Sequence, residues 1–595
     1  MKSIKLLLFM QFIALVPAVL FISLYMGISF TSFVLLILLF LLMGWSMYRY
    51  KQQKSFIHYP LLFTIIMSFF IYGLHALGSM QAPQTFTLLK AEESVTLLTL
   101  NKPSAIDKVC YYVGIDYDSF TLEYETKAQW KTFYTYKKDY PYSFSWKCQD
   151  IALAHVQKII VRATENEKLV WSTDNQLMLG EIRFSYQGKP IRYTTDKSQL
   201  NDETDIPITQ GYYGGMFFDE IYHGRTAYEI IHHLEIYENT HPYLGKHIII
   251  QGIKLFGMTP FGWRFSNIFF AALMVLIIYY FALQLFREHL FAFAAALLMT
   301  YSFMHLAQAR IGLIDTFGVT FILISYHYLY RFIREQTLAL LLWSGVFFGL
   351  AISIKWSAVF ASLGFMFIAL YLLLSHYPLQ KRFRGWGLIK YGLLSYGVLA
   401  LGIYGLSFFD IYMRTGSLQS IIDYNTNMYH YHSTLIATHP YSSPWWSWPL
   451  DWKPMGYYKE DHEGLTRSIN AFGNPAIFWT GIIALLYTLY QALRYKSLEA
   501  MFILLAFIGL YIPYVFIGRL MFIYHFYYAV PFLMLAIVYM LQDSMMKFAT
   551  LKYLYMVYFC VVIGLFLLYY PLLSGVEISR VFVNQYLLWL PKWWM

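Results

Sequence analysis

The chain has 595 residues, of which 58% are hydrophobic and only 13% are charged. This composition excludes an ordinary soluble globular protein and is typical of a protein with many membrane spans. The net charge of +10 raises the question of a nucleic-acid partner. The basic residues, however, form short clusters between apolar runs, which is the pattern that sets membrane orientation. We therefore predict no nucleic-acid partner.

Thirteen apolar runs are long enough to cross a bilayer, since a span needs roughly 17–25 residues. They lie near 6–28, 30–48, 57–78, 264–286, 289–307, 316–332, 338–354, 357–376, 389–410, 475–493, 498–517, 522–541 and 550–571. The first run lacks a small-residue cleavage site, which predicts an uncleaved anchor. With this count the basic clusters fall on one side, which the positive-inside rule makes the cytoplasm. We predict a polytopic α-helical membrane protein whose C-terminus is outside.

Residues 79–205 differ from the rest of the chain, because they are polar and contain no run that could span. Stretches such as TFTLLKAEESVTLLTL and KIIVRAT alternate apolar and polar residues, which predicts short strands. About 125 residues suffice for one small domain. We predict a β-sandwich inserted on the outer side of the membrane. Its tryptophans Trp130, Trp146 and Trp171 could bind carbohydrate, although tryptophans more often lie in a core.

Two of the three cysteines, Cys110 and Cys148, lie in this polar segment, and the third, Cys560, lies inside an apolar span. A disulfide between the first two suits an oxidising compartment. Two buried free thiols are the alternative, because the sequence gives no distance between the sulfur atoms.

Two adjacent carboxylates, Asp219 and Glu220, follow the polar segment in FFDEIYHGR. Ionisable residues beside a membrane are costly and usually functional. The next residues, YHGRTAYEIIHHLEIYE, alternate at helical spacing and predict a helix that lies flat on the bilayer. HPYLGKHIIIQGIKLFG predicts a second such helix. The carboxylates could therefore be catalytic, could cap the first helix, or both, since acidic residues favour helix N-termini.

Several motifs follow the carboxylates, and together they carry a family resemblance. They are HPYLGK at 241–246, QARIGLIDT at 308–316, ISIKWSAVF at 352–360, SSPWWSWPLDWKP at 442–454, RLMFIYHFYYAVPF at 519–532 and the closing WLPKWW. In this order they resemble the protein O-mannosyltransferase family, which belongs to the membrane glycosyltransferases of the GT-C type. The resemblance covers about 57–595, apart from the inserted domain.

Two departures from the family pattern point to a prokaryotic-like layout. The eukaryotic enzymes carry a large luminal β-trefoil domain later in the chain, whereas this chain has its β-rich domain before the Asp-Glu pair and two additional N-terminal spans. The predicted organisation is therefore two additional spans at 1–56, a first core span at 57–78, the β-rich domain at 79–205, a catalytic loop with juxtamembrane helices at 206–263, a transmembrane core at 264–410, an aromatic outer loop at 411–474 and a C-terminal core at 475–595.

The resemblance implies transfer of a sugar, typically mannose, from a polyprenyl or dolichyl phosphate to a Ser or Thr hydroxyl of a protein, with inversion. It makes Asp219 the general base that takes the hydroxyl proton, and Glu220 a residue that orients the acceptor or the loop. The departing phosphate calls for cations at the membrane face. The predicted phosphate-binding residues are Arg519, then Lys355 and Arg310, with added hydrogen bonds from Tyr524 and His525.

Each of these and the remaining candidates has a structural alternative. Arg519 could instead anchor a span by reaching the headgroups, and His525 could be a structural histidine. Arg310 and Asp315 could form an architectural pair rather than contact substrate. His241 and Lys246 flank a Pro-containing turn and are further substrate-loop candidates. Lys246 could attract the donor phosphate or only the anionic lipid surface. The tryptophans of the outer loop could form a lid that stacks on sugar or an interface belt; they are Trp445, Trp446 and Trp448.

The sequence predicts no metal site and no cofactor other than the lipid-linked sugar, with a divalent cation as the less favoured option. The histidines and carboxylates of the outer loop match no metal-ligand spacing. The expected partners are the polyprenyl-phosphate sugar, a protein acceptor, membrane lipids and, as an option, a second copy of the chain. The expected location is a prokaryotic plasma membrane with the site facing outwards. The main alternative is a transferase that modifies lipid A or another envelope glycolipid.

Overall fold

The computed structural model of the protein describes residue 21 and residues 58–90, 93–115, 119–126, 129–136, 143–164 and 176–595. The two spans predicted near 6–28 and 30–48 lie outside the described residues except for Phe21, and Trp171 also lies outside them. The chain divides into two compact units. The helical unit comprises Met1–His75, Asn239–Gly245 and Asn267–Met595, and the β-rich unit comprises Ala76–Glu238 and Lys246–Ser266.

The first part of the β-rich unit is an antiparallel sheet, with seven strands among the described residues. The strands are β1 (Thr87–Lys90), β2 (Ser94–Val113), β3 (Ser119–Thr126), β4 (Gln129–Tyr136), β5 (Ser145–Thr164), β6 (Gln176–Tyr186) and β7 (Lys189–Pro190). Their order is β1-β6-β2-β5-β3-β4, and β7 pairs with β6. Apolar side chains from these strands form one buried cluster that includes Val109, Phe120, Val161 and Phe184.

The predicted β-rich domain is confirmed, but its strands form one continuous sheet rather than the two sheets of a sandwich. The reason is the length of β2 and β5, which have 20 residues each. They pair from Ser94 opposite Arg162 to Val113 opposite Ser145, through several register shifts between Thr96 and Lys108. Such irregularities bend a strand without ending it, and the short alternating segments of the sequence did not reveal this continuity.

The disulfide between Cys110 and Cys148 is confirmed, because the two residues lie directly opposite each other on β2 and β5 and are bonded. Cys560 is a free, exposed cysteine. Of the tryptophans weighed as carbohydrate contacts or core residues, Trp146 lies in the core, where it packs against Tyr112. Trp130 is exposed, on a strand at one end of the sheet order.

The rest of the β-rich unit is largely helical. It contains the short helix Gly211–Gly214, the helix Glu220–Ile231, most of the helix Leu244–Phe256 and the first turns of Pro260–Phe286. The ring of Phe144 lies 4.9 Å from that of Tyr228, and the Ser79 amide donates to the Tyr213 carbonyl at 2.8 Å. The domain predicted at 79–205 and most of the catalytic loop predicted at 206–263 therefore belong to one compact unit, whereas Asn239–Gly245 belongs to the helical unit.

Most of the predicted spans that fall on described residues form helices. Among the described residues, seven helices are long and apolar enough to cross a membrane, and the bent pair His289–Thr300 and Phe303–Ala309 would make an eighth. The seven are Pro260–Phe286, Trp356–Leu374, Trp386–Leu406, Pro475–Tyr495, Leu498–Phe516, Val530–Lys547 and Leu551–Ser574. The helices His58–Leu74 and Leu338–Ile352 are apolar but shorter, and Asp315–Glu335 is a further long helix. A multi-pass membrane protein is confirmed, whereas the total of thirteen spans is not.

Two predicted segments differ from the structure in their local form. The span predicted at 522–541 begins as a helix only at Val530, because Ile523–Tyr528 forms a tighter 3-10 helix and Pro531 favours a helix start. The predicted outer loop is largely regular. It contains the helices Phe409–Thr415 and Leu418–Thr434 and a hairpin of Met455–His462 with Leu465–Ala471, to which Ile578–Ser579 adds a third strand.

Candidate functional site

Asp219 lies at the N-cap position of the helix Glu220–Ile231 in the β-rich unit. Its carbonyl accepts the amides of Tyr222 and His223 at 3.0 Å, while its half-buried side chain makes no capping hydrogen bond. Phe218, just before it, has a φ of +50°, a left-handed conformation that costs a non-glycine residue about 1–3 kcal/mol. Strain of this kind collects at functional sites, and Phe218 directly precedes Asp219.

Glu220 is fully buried and forms a two-pronged ion pair with Arg264 of the helix Pro260–Phe286. The Arg264 Nε donates to Glu220 Oε1 at 2.6 Å, and Nη2 donates to Oε2 at 2.7 Å. The remaining Arg264 donors bind the carbonyls of Leu77 and Gly215, each at 2.8 Å. The pair thus fastens the loop before Asp219 to a rigid helix. Of the two roles predicted for Glu220, this geometry supports orientation of the loop.

The environment of Lys246 corrects the prediction that this residue attracts the donor phosphate or the lipid surface. Its ammonium group is fully buried in the β-rich unit and forms an ion pair with the carboxylate of Glu238. It also donates to the Glu238 carbonyl at 3.1 Å. A cation that is enclosed and already neutralised cannot attract a headgroup or a donor phosphate without breaking this pair. We therefore assign Lys246 an architectural role.

Arg310 ties helices of the helical unit together, which is the architectural reading of this residue. Its guanidinium is buried and donates to the carbonyls of Gly73 and His75 at 2.8 Å and of Ser574 at 2.9 Å. Asp315, the expected partner of Arg310, instead accepts two hydrogen bonds of 3.0 Å from Lys355.

A cavity of about 880 Å³ lies within the helical unit. Four of the predicted site residues line it, namely His241, Lys355, Arg519 and His525. Tyr524 and Arg310 are not among the described residues that line it. The apolar part of the wall includes Ile352, Val359, Phe360, Leu401, Ile436 and Ile517. The cavity therefore joins two cationic side chains to a mainly hydrocarbon surface, which suits an amphiphile with an anionic head.

Arg519 is held in the cavity by His432, a histidine of the predicted outer loop to which the sequence assigned no role. Its Nη1 donates to the Nδ1 atom of His432 at 2.9 Å, and the His432 Nε2 donates to the Thr240 carbonyl at 2.8 Å. This pattern requires the neutral ring with its proton on Nε2. Burial, and then the nearby His241 and Arg519, lower the pKa of His432 to about 4. The positive charge therefore stays on Arg519.

Lys355 has both an acidic and an aromatic partner. Its ammonium is mostly buried, pairs with Asp315, and lies 5.5 Å from the centre of the Tyr524 ring. A cation over an aromatic face is attracted by the ring quadrupole. Tyr524, predicted as a phosphate contact, thus lies against Lys355, and its role towards phosphate stays a prediction. The neighbouring imidazole of His525 is half-buried, and desolvation, with the charge of Lys355, holds its pKa well below the ordinary histidine value.

The three tryptophans predicted for the outer loop occupy different environments. Trp446 is exposed, whereas Trp448 is fully buried and donates to the Ser443 hydroxyl at 3.1 Å. The Trp448 ring packs behind the cavity wall, 5.0 Å from Tyr514 and 6.1 Å from His525. Trp445 is half-buried and packs on Tyr511 at 5.7 Å. Trp448 therefore supports the wall rather than a sugar ring.

Several cavity residues carried no sequence signal of their own. Tyr404 accepts the indole N–H of Trp356 at 2.9 Å and donates to Asn425. With His432 and Tyr514, these residues supply most of the polar wall that motif order did not identify. Trp356 is the exception among them, because it follows Lys355 in the ISIKWSAVF motif and could have been predicted from that motif.

Replacement of Glu220 by Gln tests the ion pair that holds the Asp219 loop. Glu220→Gln should destabilise the protein by about 3–5 kcal/mol, because it leaves the Arg264 guanidinium buried without its counter-charge. Thermal unfolding of the purified full-length chain measures this as a lower Tm. The matched control is Glu335→Gln, which removes one charge from the partly exposed Arg331–Glu335 pair and should cost about 0.5 kcal/mol or less. Equal Tm values for the two variants would contradict the assigned role.

Comparisons with known proteins agree with the motif order. A family model described as the C-terminal four TMM region of protein-O-mannosyltransferase matches residues 417–593, and one described as dolichyl-phosphate-mannose-protein mannosyltransferase matches residues 240–402. A polyprenol-phosphate-mannose–protein mannosyltransferase of Mycolicibacterium smegmatis is 24% identical over 454 residues, which are 64% of this chain and 88% of the relative. Its counterpart in Corynebacterium glutamicum is 26% identical over 427 residues, 59% of this chain and 81% of that one.

A solved structure adds a likeness of fold. The Saccharomyces cerevisiae protein O-mannosyltransferase Pmt1-Pmt2 complex bound to the sugar donor has 13% identity and a TM-score of 0.56, over 64% of this chain and 89% of the yeast chain. At this identity the likeness concerns the fold alone. The two family models together span more than half of the chain. The chain belongs to the protein O-mannosyltransferase family, a group of membrane glycosyltransferases with the GT-C fold.

Proposed function

We propose that this protein transfers mannose from a polyprenyl-phosphate-mannose donor to Ser or Thr hydroxyls of proteins, with inversion, at the outer face of a prokaryotic plasma membrane. The names of the mycobacterial and corynebacterial relatives support the donor and the protein acceptor. The disulfide on β2 and β5 supports an oxidising environment for the β-rich unit. A dimer and independence from metal ions remain predictions.

The observation that carries this proposal is the combination of charge and apolar wall in the cavity. Lys355 and Arg519 supply two cations, and the histidines His432 and His525 beside them are held neutral by burial. Asp315 balances only Lys355. The remaining positive charge suits one phosphodiester, and the wall that includes Ile352, Leu401 and Ile517 suits a prenyl chain.

The chemistry requires one base and one leaving-group site. The acceptor oxygen forms a bond to the anomeric carbon while the bond from that carbon to the phosphate oxygen breaks, and its electron pair goes to the phosphate. In this scheme the Asp219 carboxylate takes the hydroxyl proton. A single displacement of this kind inverts the anomeric carbon. Glu220 contributes by holding the loop through Arg264.

A transfer assay with two classes of acceptor tests the proposed function. The purified protein, in a membrane mimic, is incubated with labelled polyprenyl-phosphate-mannose and with Ser/Thr-containing peptides and lipid A side by side. We expect label in the peptides with the α or β configuration opposite to that of the donor. Label that enters only lipid A would favour the glycolipid alternative, and retention of configuration would exclude the single displacement.

Asp219→Asn tests the general base. The substitution keeps the size of the side chain but removes its proton affinity, so kcat should fall by roughly 10²–10⁴-fold while Tm stays near that of the wild type. The control is Asp150→Asn in the β-rich unit, whose carboxylate is 85% exposed, and which should leave kcat unchanged. Wild-type turnover by Asp219→Asn would remove this residue from the base role.

Arg519→Ala tests the phosphate contact. Loss of a charged donor should raise the KM for the donor by roughly 10–100-fold and leave the KM for the peptide nearly unchanged. Arg519→Lys should recover part of the loss, because it keeps the charge but not the paired N–H groups. Arg331→Ala, in a partly exposed pair distant in sequence, serves as the control. An unchanged donor KM in Arg519→Ala would contradict the assignment.

A further inference from the structure

The hydroxyl of Tyr514 is a buried polar group without a partner. The residue is 2% exposed, and among the described residues its oxygen has no hydrogen-bond partner. A buried hydroxyl that makes no hydrogen bond costs free energy, so such a group in a folded protein calls for an explanation. Tyr514 also lines the cavity that contains Lys355 and Arg519.

The ring of Tyr514 is held in a fixed position by three aromatic neighbours. Its centre lies 5.1 Å from that of Phe360, 5.0 Å from that of Trp448 and 5.8 Å from that of His525, and each ring meets it edge to face. The residue belongs to the tight turn Ile512–Phe516, at the end of the helix Leu498–Tyr511. A ring clamped in this way cannot turn its hydroxyl towards a distant partner.

The charges beside Tyr514 indicate what its hydroxyl binds. Asp315 and Arg519 both act electrostatically on this hydroxyl. Asp315 accepts two hydrogen bonds from Lys355 and none from Tyr514, and Arg519 has only donors to offer. The missing element next to Arg519 is therefore an acceptor. An anionic oxygen that enters the cavity would satisfy the guanidinium and the hydroxyl together.

We propose that Tyr514 donates a hydrogen bond from its hydroxyl to a phosphate oxygen of the polyprenyl-phosphate donor and strengthens this bond as the phosphate leaves. The proposal rests on the proposed function for its donor. During transfer the phosphodiester, with one negative charge, becomes a phosphate monoester with two, and Asp219 changes from carboxylate to carboxylic acid. Tyr514 keeps its proton throughout. Because the hydrogen bond gains strength as charge develops, it lowers the barrier more than it tightens donor binding.

Tyr514→Phe removes only the hydroxyl, and Tyr511→Phe is its matched control. Tyr511 lies one turn earlier and donates to the Trp445 carbonyl at 2.8 Å, so the control loses a structural hydrogen bond of the same chemistry. Tyr514→Phe should keep or raise Tm, because it removes an unsatisfied buried group. Its kcat for mannose transfer should fall by roughly 10²-fold with a smaller change in donor KM. Tyr511→Phe should lower Tm slightly and keep kcat.

A binding measurement makes the test independent of turnover. Undecaprenyl phosphate is titrated into the wild type and both variants in lipid nanodiscs, with undecaprenol as the ligand that lacks phosphate. We expect Tyr514→Phe to weaken binding of the phosphate by roughly 10-fold or more and to leave undecaprenol binding unchanged. Equal phosphate affinity in wild type and Tyr514→Phe would overturn the proposal, as would an equal loss in Tyr511→Phe.

The two proposals fail in different ways. If the wild type binds undecaprenyl phosphate through Tyr514 but transfers no mannose, the proposed function is wrong and the contact stands. If the wild type transfers mannose and Tyr514→Phe retains both its kcat and its phosphate affinity, the function stands and the contact is wrong. A wild type that binds neither undecaprenyl phosphate nor the mannosylated donor would contradict both.

Discussion

The hydrogen bond from Arg519 to a neutral His432 is the interaction on which the cavity depends. A cation inside an apolar wall is costly unless it is paired and hydrogen-bonded, and an acidic partner would neutralise it. His432 provides the hydrogen bond without neutralising the charge. Its Nδ1 accepts from Arg519 while its Nε2 donates to the Thr240 carbonyl, so the guanidinium is fixed and keeps its charge.

The buried cations that hold the structure together differ from the cation of the candidate site in whether a carboxylate neutralises them. Arg264 and Lys246 are fully buried beside carboxylates, Glu220 and Glu238, that neutralise them, and such pairs hold segments together. Arg519 differs, because among the described residues it forms no ion pair with a carboxylate. Glu220 and Asp219 differ in their burial and backbone position. The Glu220 carboxylate is fully buried beside Arg264, whereas Asp219 is half-buried and its side chain does not cap the helix that follows.

The sequence predicted the fold class and four of the cavity residues, and the reasons for the remaining errors are physical. Apolar runs are enough to predict the spans, and motif order is enough to predict Lys355 and Arg519. The length of an apolar run and the charge of a residue can both be read from the local sequence. His432 contacts Arg519, which is 87 residues away in the sequence. Tyr514 likewise packs against the distant residues Phe360 and Trp448. No local sequence pattern reveals such contacts. Arg310 and Lys246 stand within the motifs, yet motif membership does not distinguish a buried tie from a ligand contact. In the β-rich unit, alternation predicted strands but not the register shifts that keep β2 and β5 continuous.

The neutral groups of the cavity also suit a reaction whose product must leave. Lys355 and Arg519 carry two positive charges, and Asp315 and a phosphodiester carry one negative charge each, so the occupied cavity is balanced before transfer. The departing phosphate adds a negative charge, which makes the product cavity net negative. Additional cations would bind that product more tightly and slow its release. Hydrogen-bond donors without charge, such as the Tyr514 hydroxyl, stabilise the developing charge in the transition state with a smaller attraction for the product than a further cation would exert. Burial that keeps His432 and His525 neutral therefore suits both the transfer of the sugar and the release of the phosphate.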